Sequence, residues 1–299
     1  MFIGIDLGGT KIEGVVLDTQ HKVRFRERIP TQRDEGYERI VERVASMFAL
    51  CCEAAGTRPA VVGIGTPGAV SLRDGAMKNC NTTCLNGRPL QRDLETALKT
   101  KVILENDANL FTWAEALHGA ARGYELVFGV ILGTGVGGGI VYRGEIVRGA
   151  HRLAGEWGHH RIVSGGPRCY CGASGCVETL ISGPAVEADA ARERGFRAPL
   201  PEVVRAAREG EAAAARVLGS FLDHFGRGLA NVVNIVDPDC IVLGGGVSNV
   251  DELYTIGREA VAAYVFGGEF RAPILRHALG DSAGVIGAAL LAARDLEGR

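Results

Sequence analysis

Cys169, Cys171 and Cys176 place three thiols within eight residues, and the pair His159-His160 lies about ten residues upstream. Three thiolates and one imidazole supply the four ligands of a closed tetrahedral zinc site. The spacing C-x-C-x4-C departs from the common C-x2-C knuckle, and either His159 or His160 could complete the set. The other five of the eight cysteines, Cys51, Cys52, Cys80, Cys84 and Cys240, are scattered among apolar and loop residues. That distribution is not a disulfide framework, so the cluster is expected to hold metal.

A second set of chemical groups is Glu105-Asn106-Asp107, between the apolar run Val102–Leu104 and a helical pattern from about Ala108 to Ala121. An aspartate at such a junction can act as an N-cap. It also stands at the carboxyl end of a strand, where α/β sheets gather their ligand-binding groups. There it could accept a proton from a hydroxyl. The run VVGIGTP from Val61 to Pro67 predicts another buried strand, and Thr66-Pro67-Gly68 after it is a candidate wall of the site. Asn79, Asn81, Thr82, Thr83 and Asn86 form a polar loop. It is either plain turn chemistry or a set of uncharged donors and acceptors for a polyhydroxylated ligand.

These groups need elements to position them, and one pattern recurs. Phe2 to Leu17 reads FIGIDLGGTKIEGVVL: two apolar runs joined through Asp6, Gly8-Gly9-Thr10 and Lys11. Val127 to Tyr142, VFGVILGTGVGGGIVY, repeats it; laid without gaps, the copies share Gly4/Gly129, Leu7/Leu132, Gly8/Gly133, Gly14/Gly139 and Val16/Val141. Either copy alone could be an ordinary hairpin. Glycine turns also let backbone N–H groups close on an anion. Two copies in register predict a duplicated, phosphate-gripping fold whose halves face each other.

Around these, Val23–Ile29 predicts a further strand, and Tyr37 to Ala55 an amphipathic helix with Tyr37, Ile40, Val41, Val44, Phe48 and Cys51 at helical spacing. Glu202 to Val233 reads as one or two helices ending before Pro238. Cys240–Val247 is a third strand running into Gly244-Gly245-Gly246, where a flat ring could lie on backbone. Ser282 to Arg294 is a close-packing helix rich in glycine and alanine.

A chain of 299 residues suits two domains of ordinary size. Its 43 glycines are about twice the usual share and sit in turns. The net charge of −2 gives no basic stripe for nucleic acid. Met1 leads directly into a strand, with no pattern of a signal peptide, and the longest uncharged stretch is too short and glycine-rich for a bilayer. A cytoplasmic protein with no membrane or nucleic-acid partner is expected.

Together DLGGTK at Asp6–Lys11, END at Glu105–Asp107, LGTGVGGG at Leu132–Gly139, GEWGHH at Gly155–His160, CYCGASGCVET at Cys169–Thr179 and GGGVSN at Gly244–Asn249 resemble the ROK family of sugar kinases, in the actin-like ATPase superfamily. LNGRPL, VSNVDELY, VFGGE and GDSAGV look most like its bacterial fructokinase (manno-fructokinase) branch.

The resemblance implies an α/β, ribonuclease H-like fold of two domains with a cleft between them. Their bounds are expected at 1–118, joined by a returning helix at 284–299, and 119–283. It implies ATP, Mg²⁺ and a structural Zn²⁺. Gly8, Gly9, Thr10 and Lys11 would hold phosphates with Gly133, Thr134 and Gly135; Asp6 would orient Mg²⁺ through water; Gly244, Gly245 and Gly246 would lie against adenosine. Asp107 would take the proton of the attacking 6-hydroxyl, and Gly68, Asn81, Asn106, Glu156, His159 and Glu178 would bind the sugar. The family pattern makes His159 the ligand beside Cys169, Cys171 and Cys176, with its other ring nitrogen free for the sugar.

Fructose is the expected substrate; N-acetylglucosamine, glucose and mannose are the alternatives, and a homodimer is the default assembly. ROK repressors carry a helix-turn-helix domain before the glycine turn; with the turn starting at Asp6, a repressor is not expected.

Overall fold

The computed structural model describes residues 1–298 and contains two five-stranded sheets. The strands are β1 (Phe2–Leu7), β2 (Lys11–Leu17), β3 (Val23–Pro30), β4 (Val61–Thr66) and β5 (Lys101–Asn106), then β6 (Leu126–Leu132), β7 (Val136–Tyr142), β8 (Glu145–Ile146), β9 (Cys240–Gly244) and β10 (Ile274–Arg276). The first sheet runs β3-β2-β1-β4-β5 and the second β8-β7-β6-β9-β10. In each, a glycine hairpin pairs antiparallel and its first strand pairs parallel with the next strand inward.

The sequence repeat is therefore structural, with one correction. Leu7 pairs with Ile12 across four residues, whereas Leu132 pairs with Val136 across three. The shorter second turn slips the return strand by one, so Gly14 corresponds in pairing to Gly138 and not to Gly139. A one-residue slip exchanges faces, and the contacts agree. A Cβ on Gly14 would strike the Met47 sulfur, and one on Gly138 would strike the Trp157 ring. Each buried glycine admits a large side chain from the element above it.

The helices are α1 (Tyr37–Ala55), α2 (Leu90–Leu98), α3 (Asp107–His118), α4 (Glu178–Ile181), α5 (Gly183–Arg194), α6 (Leu200–Arg208), α7 (Ala212–Val236), α8 (Ile256–Tyr264) and α9 (Ala283–Glu297). The 202–233 pattern is thus two helices, parted at Gly210, whose φ of +91° suits glycine.

The chain divides into two compact units. The first comprises Met1–Ala114, Ile146–Ala154 and the stretch from Leu279. Its core joins Ile3, Ile5, Leu7, Ile40, Met47, Ile64 and Leu104. Here α9 lies on β1 and β4, close enough that a Cβ on Gly4 or Gly63 would overlap its backbone at Ala289 or Ala288. The second comprises Glu115–Glu145 and Gly155–Ala278, with a core around Phe128, Trp157, Phe221, Phe225 and Leu243. The expected boundary at 118/119 falls instead inside α3, and 146–154 belongs to the first unit. Side-chain ties explain the second difference: Arg148 Nε lies 2.5 Å from a Glu105 carboxylate oxygen, and Lys78 donates to the His151 carbonyl at 2.8 Å. Among the described residues no helix is long and apolar enough to cross a membrane.

Candidate active site

In the first unit, Asp6 is the penultimate residue of β1, beside the glycine turn. Gly8 N–H donates to the Lys11 carbonyl at 3.0 Å, and Thr31 Oγ1 donates to the Gly8 carbonyl at 2.7 Å. A Cβ on Gly9 would come to 3.2 Å from the Arg33 guanidinium and 3.4 Å from Thr82 Oγ1. Thr10 and Lys11 are exposed. The turn is thus a pinned loop bordered by a cation and a hydroxyl, a fit for phosphate.

Burial, followed by the negative charges of Asp107 and Glu13, pushes the Asp6 carboxyl up to about 7. Glu13 is itself buried and held by Arg28 at 2.9 Å and by the Ser282 hydroxyl at 2.8 Å. Two carboxylates near each other, Asp6 raised and Asp107 at the head of α3, form a site that gains from a divalent cation.

Asn106 caps α3: its Oδ1 accepts from the N–H groups of Ala108 (3.0 Å) and Asn109 (3.2 Å). Its Nδ2 donates to the Gly68 carbonyl at 3.2 Å. Asp107 accepts from Ala108 N–H at 2.8 Å through Oδ1. The capping duty therefore falls mainly on Asn106, one residue earlier than expected. Gly68 sits at φ +74°, and a Cβ there would also collide with the Lys78 carbonyl, so the position requires glycine twice over. Asn81 is exposed, and it is Thr82 that borders the glycine turn.

The sequence reading gave Glu105 no role. It is buried, and one oxygen accepts from Asn106 N–H (3.0 Å) and Asn109 Nδ2 (2.9 Å) while the other meets Arg148. The acid inside END was the available signal, since a charge in an apolar strand demands partners. Nothing around Arg148 marked it.

In the second unit, Glu178 begins α4 and accepts from Val136 N–H at 3.0 Å. A Cβ on Gly135 would lie 2.7 Å from its carboxylate. Gly183 N–H donates to the Gly133 carbonyl at 2.9 Å, completing the grip on Gly133-Thr134-Gly135. Thr134 is exposed, and the side of Gly133 that would carry a Cβ faces open space. Gly245, at φ +80°, lies against the Leu132 carbonyl, while Gly246 faces open space. Gly244 ends β9 just before them. This bare backbone suits a flat ring.

Glu156 precedes a single 3₁₀ turn, Trp157–His159, laid along β7. Trp157 Nε1 donates to the Gly137 carbonyl at 3.1 Å, and a Cβ on Gly158 would overlap the Val136 carbonyl. That close seating directs His159 to the cysteines. The ligand atoms of His159, Cys169, Cys171 and Cys176 all lie within 4.8 Å of one another. Cys169 Sγ is 3.5 Å from His159 Nδ1, and Cys171 Sγ is 3.7 Å from Cys176 Sγ. A tetrahedral zinc with bonds of about 2.3 Å to sulfur and about 2.0 Å to nitrogen has edges of about 3.5–3.8 Å. The donor set fits that ion. His160 faces Asn231 at 3.5 Å instead, so the choice left open by spacing falls on His159. Cys171 is held below the usual thiol range by the Ala173 backbone N–H, whereas burial raises Cys169 and Cys176.

His159 Nε2 is not unpartnered. It lies 3.0 Å from the Tyr170 hydroxyl, whose ring stands edge-on to the imidazole.

The paired sheet orders, each headed by a glycine hairpin, define the class: this is an actin-like ATPase fold. Residues 2–295 match the model of the ROK family, and the chain belongs to that family. It is 36% identical to the N-acetyl-D-glucosamine kinase of Pectobacterium atrosepticum, over 97% of this chain and 98% of that protein. A solved ROK hexokinase from Thermus thermophilus superposes with a TM-score of 0.86 at 37% identity, covering 100% of this chain and 99% of that one. A ROK family glucokinase from Streptomyces griseus, solved in complex with glucose and AMPPNP, gives 0.82 at 32% identity, covering 98% and 99%.

Proposed function

We propose that this chain is an ATP-dependent kinase that phosphorylates the 6-hydroxyl of a glucose-configured hexose, glucose or N-acetylglucosamine. The observation that carries the reading is near full-length similarity to kinases named for those sugars, coupled with an acid at the head of α3 beside the raised Asp6. Fructose, the substrate expected from short motifs, finds no counterpart among these relatives, so it becomes the competing outcome of the test.

In this reading the sugar 6-oxygen attacks the γ-phosphorus, the bond to the bridging oxygen breaks, and ADP leaves. Asp107 orients the hydroxyl and takes its proton. Phosphoryl transfer of this kind passes through a loose transition state, so alignment and charge stabilisation dominate. Gly8, Gly9, Thr10 and Lys11 receive phosphate oxygens in the first unit, and Gly133, Thr134 and Gly135 do so in the second. Asp6 would orient a Mg²⁺ through water, and that ion would supply positive charge to the phosphates. Gly244, Gly245 and Gly246 receive the adenosine. Gly68, Asn81, Asn106, Glu156, His159 and Glu178 bind the sugar, and His159, Cys169, Cys171 and Cys176 would hold a Zn²⁺ that would order the Glu156 to Glu178 segment.

A coupled ADP-release assay on glucose, N-acetylglucosamine, mannose and fructose tests the proposal. The expected result is a kcat/KM for glucose or N-acetylglucosamine at least tenfold above that for fructose. The reverse ranking would restore the fructokinase reading, and no turnover on any hexose would reject both.

A further inference from the structure

Arg148 meets the corner that carries Asp107, and the chemistry proposed above gives it no part. Glu105, one residue before the end of β5, has a side chain only 7% exposed, while that of Arg148 is 40% exposed. A carboxylate so buried is costly unless a counter-charge and hydrogen bonds fill its oxygens. Here they divide the work. One oxygen accepts from Asn106 N–H at 3.0 Å and Asn109 Nδ2 at 2.9 Å, and the other meets Arg148 Nε at 2.5 Å. A carboxylate is planar, so an oxygen fixed on the arginine side fixes the one on the Asn106 side. Asn106 leads directly into Asp107.

The backbone around Arg148 is built to hold it there. Ala154 N–H donates to the Arg148 carbonyl at 3.4 Å and Arg152 N–H to the Gly149 carbonyl at 3.3 Å, closing a small loop. Gly149 turns the chain at φ +71°, and Arg152 stands at φ +53°, a conformation that non-glycine residues rarely take. Lys78 docks this loop through the His151 carbonyl. Lys78 itself pairs with Ala69, in the short antiparallel strands Ala69–Val70 and Met77–Lys78 that follow Gly68. The Gly68 carbonyl in turn accepts from Asn106 Nδ2. The contacts form a closed ring, from Asn106 through Glu105, Arg148, His151, Lys78 and Gly68 back to Asn106. Asp107 is mounted on that ring.

We propose that Arg148 is a positioning residue for phosphoryl transfer, holding the Glu105 carboxylate so that Asn106 and Asp107 keep one orientation. It acts through Glu105, without touching the sugar. The inference rests on the kinase reading above and adds a determinant of rate within it. A group that aligns a hydroxyl loses effect steeply with misplacement: a shift of about 1 Å can cost about a hundredfold in rate. Sugar affinity is spread over contacts on other elements, so it depends on this ring much less.

The test is Arg148→Met in the full chain, since methionine keeps much of the aliphatic stem and removes the cation. On the preferred hexose kcat should fall between about tenfold and about a hundredfold, while the calorimetric Kd for that sugar stays within about threefold. Arg148→Lys, which returns a cation to the Glu105 oxygen, should recover most of that loss. In an Asp107→Asn background the same Arg148→Met change should cost less than about threefold, because its effect passes through the carboxylate already removed. A merely structural role would cost the same in both backgrounds, and that result overturns the proposal. So does an Arg148→Met kcat within about threefold of the wild type. Should Arg148→Met not fold, the double variant Glu105→Gln with Arg148→Met takes its place, because it removes the buried charge along with its partner. Its amide has no guanidinium to fix it, so its kcat should also fall at least about tenfold, and a near-wild-type value overturns the proposal. Failure of the wild type to phosphorylate any hexose overturns the kinase reading instead, and needs no variant to be seen.

Discussion

The side-chain amide of Asn106 donates to the Gly68 carbonyl at 3.2 Å while its oxygen caps the first turn of α3. One residue thereby couples the turn after β4 to the helix that starts with Asp107. Glu105 locks the arrangement from behind, holding Asn106 N–H, Asn109 and Arg148 at once. A carboxylate mounted on such a corner is fixed in direction before any ligand arrives, which is what a group that aligns a hydroxyl needs.

Asp107→Asn should therefore lower kcat by about 10² or more, with KM altered only a few-fold. The amide oxygen preserves the 2.8 Å bond from Ala108 N–H, so fold and helix cap are kept. Steady-state kinetics on the preferred hexose decide it; near-normal turnover would remove Asp107 from the chemistry and leave it as helix-terminal structure alone.

The zinc-type centre gives a second expectation. Cys171→Ala should abolish the bound metal, lower thermal stability and weaken hexose binding, because a structural zinc contributes folding free energy directly and its loop carries Glu156, His159 and Glu178. Elemental analysis of the purified wild type should find about one zinc per chain, with binding measured alongside. A metal-free wild type with full activity would sink the idea.

Much of this was legible in the sequence because it depends on local pattern. The α1 helix runs from Tyr37 to Ala55, as the apolar spacing predicts, since one strip of side chains decides which residues turn inward. The repeat of β1-β2 in β6-β7 was legible for the same reason. What escaped depends on partners far apart in the chain. The one-residue slip of β7 follows from a turn length that a gapless overlay conceals. The transfer of 146–154 to the first unit follows from Arg148 meeting Glu105, 43 positions away. His159 is chosen over His160 by the seating of Trp157 on β7, which no cysteine spacing encodes.

The last expectation concerns Asp6 and pH. Burial and the nearby charges of Asp107 and Glu13 raise its carboxyl from 3.8 to about 7. A carboxyl raised in the folded state binds its proton more tightly there than in the unfolded chain. Folding is therefore undisturbed below about pH 4, weakens as pH rises through the window from about 4 to about 7, and stays weakened above it. Asp6→Asn removes the ionisation. In magnesium- and nucleotide-free buffer the variant should gain on the wild type by about 1–3 kcal/mol as pH rises from 5 to 8, seen as a Tm difference that widens by several degrees. It should at the same time lose most kinase activity, because the charge that destabilises the empty site is the one proposed to hold Mg²⁺. Adding Mg²⁺ with nucleotide should raise the wild-type Tm at pH 8 and leave the variant's nearly unmoved, since binding to the folded state stabilises by mass action. Thermal melts of both proteins across pH 5 to 8 decide the matter. A Tm difference that does not change with pH would show that Asp6 ionises as freely in the folded chain as in the unfolded one, and the destabilised metal site would have to be abandoned.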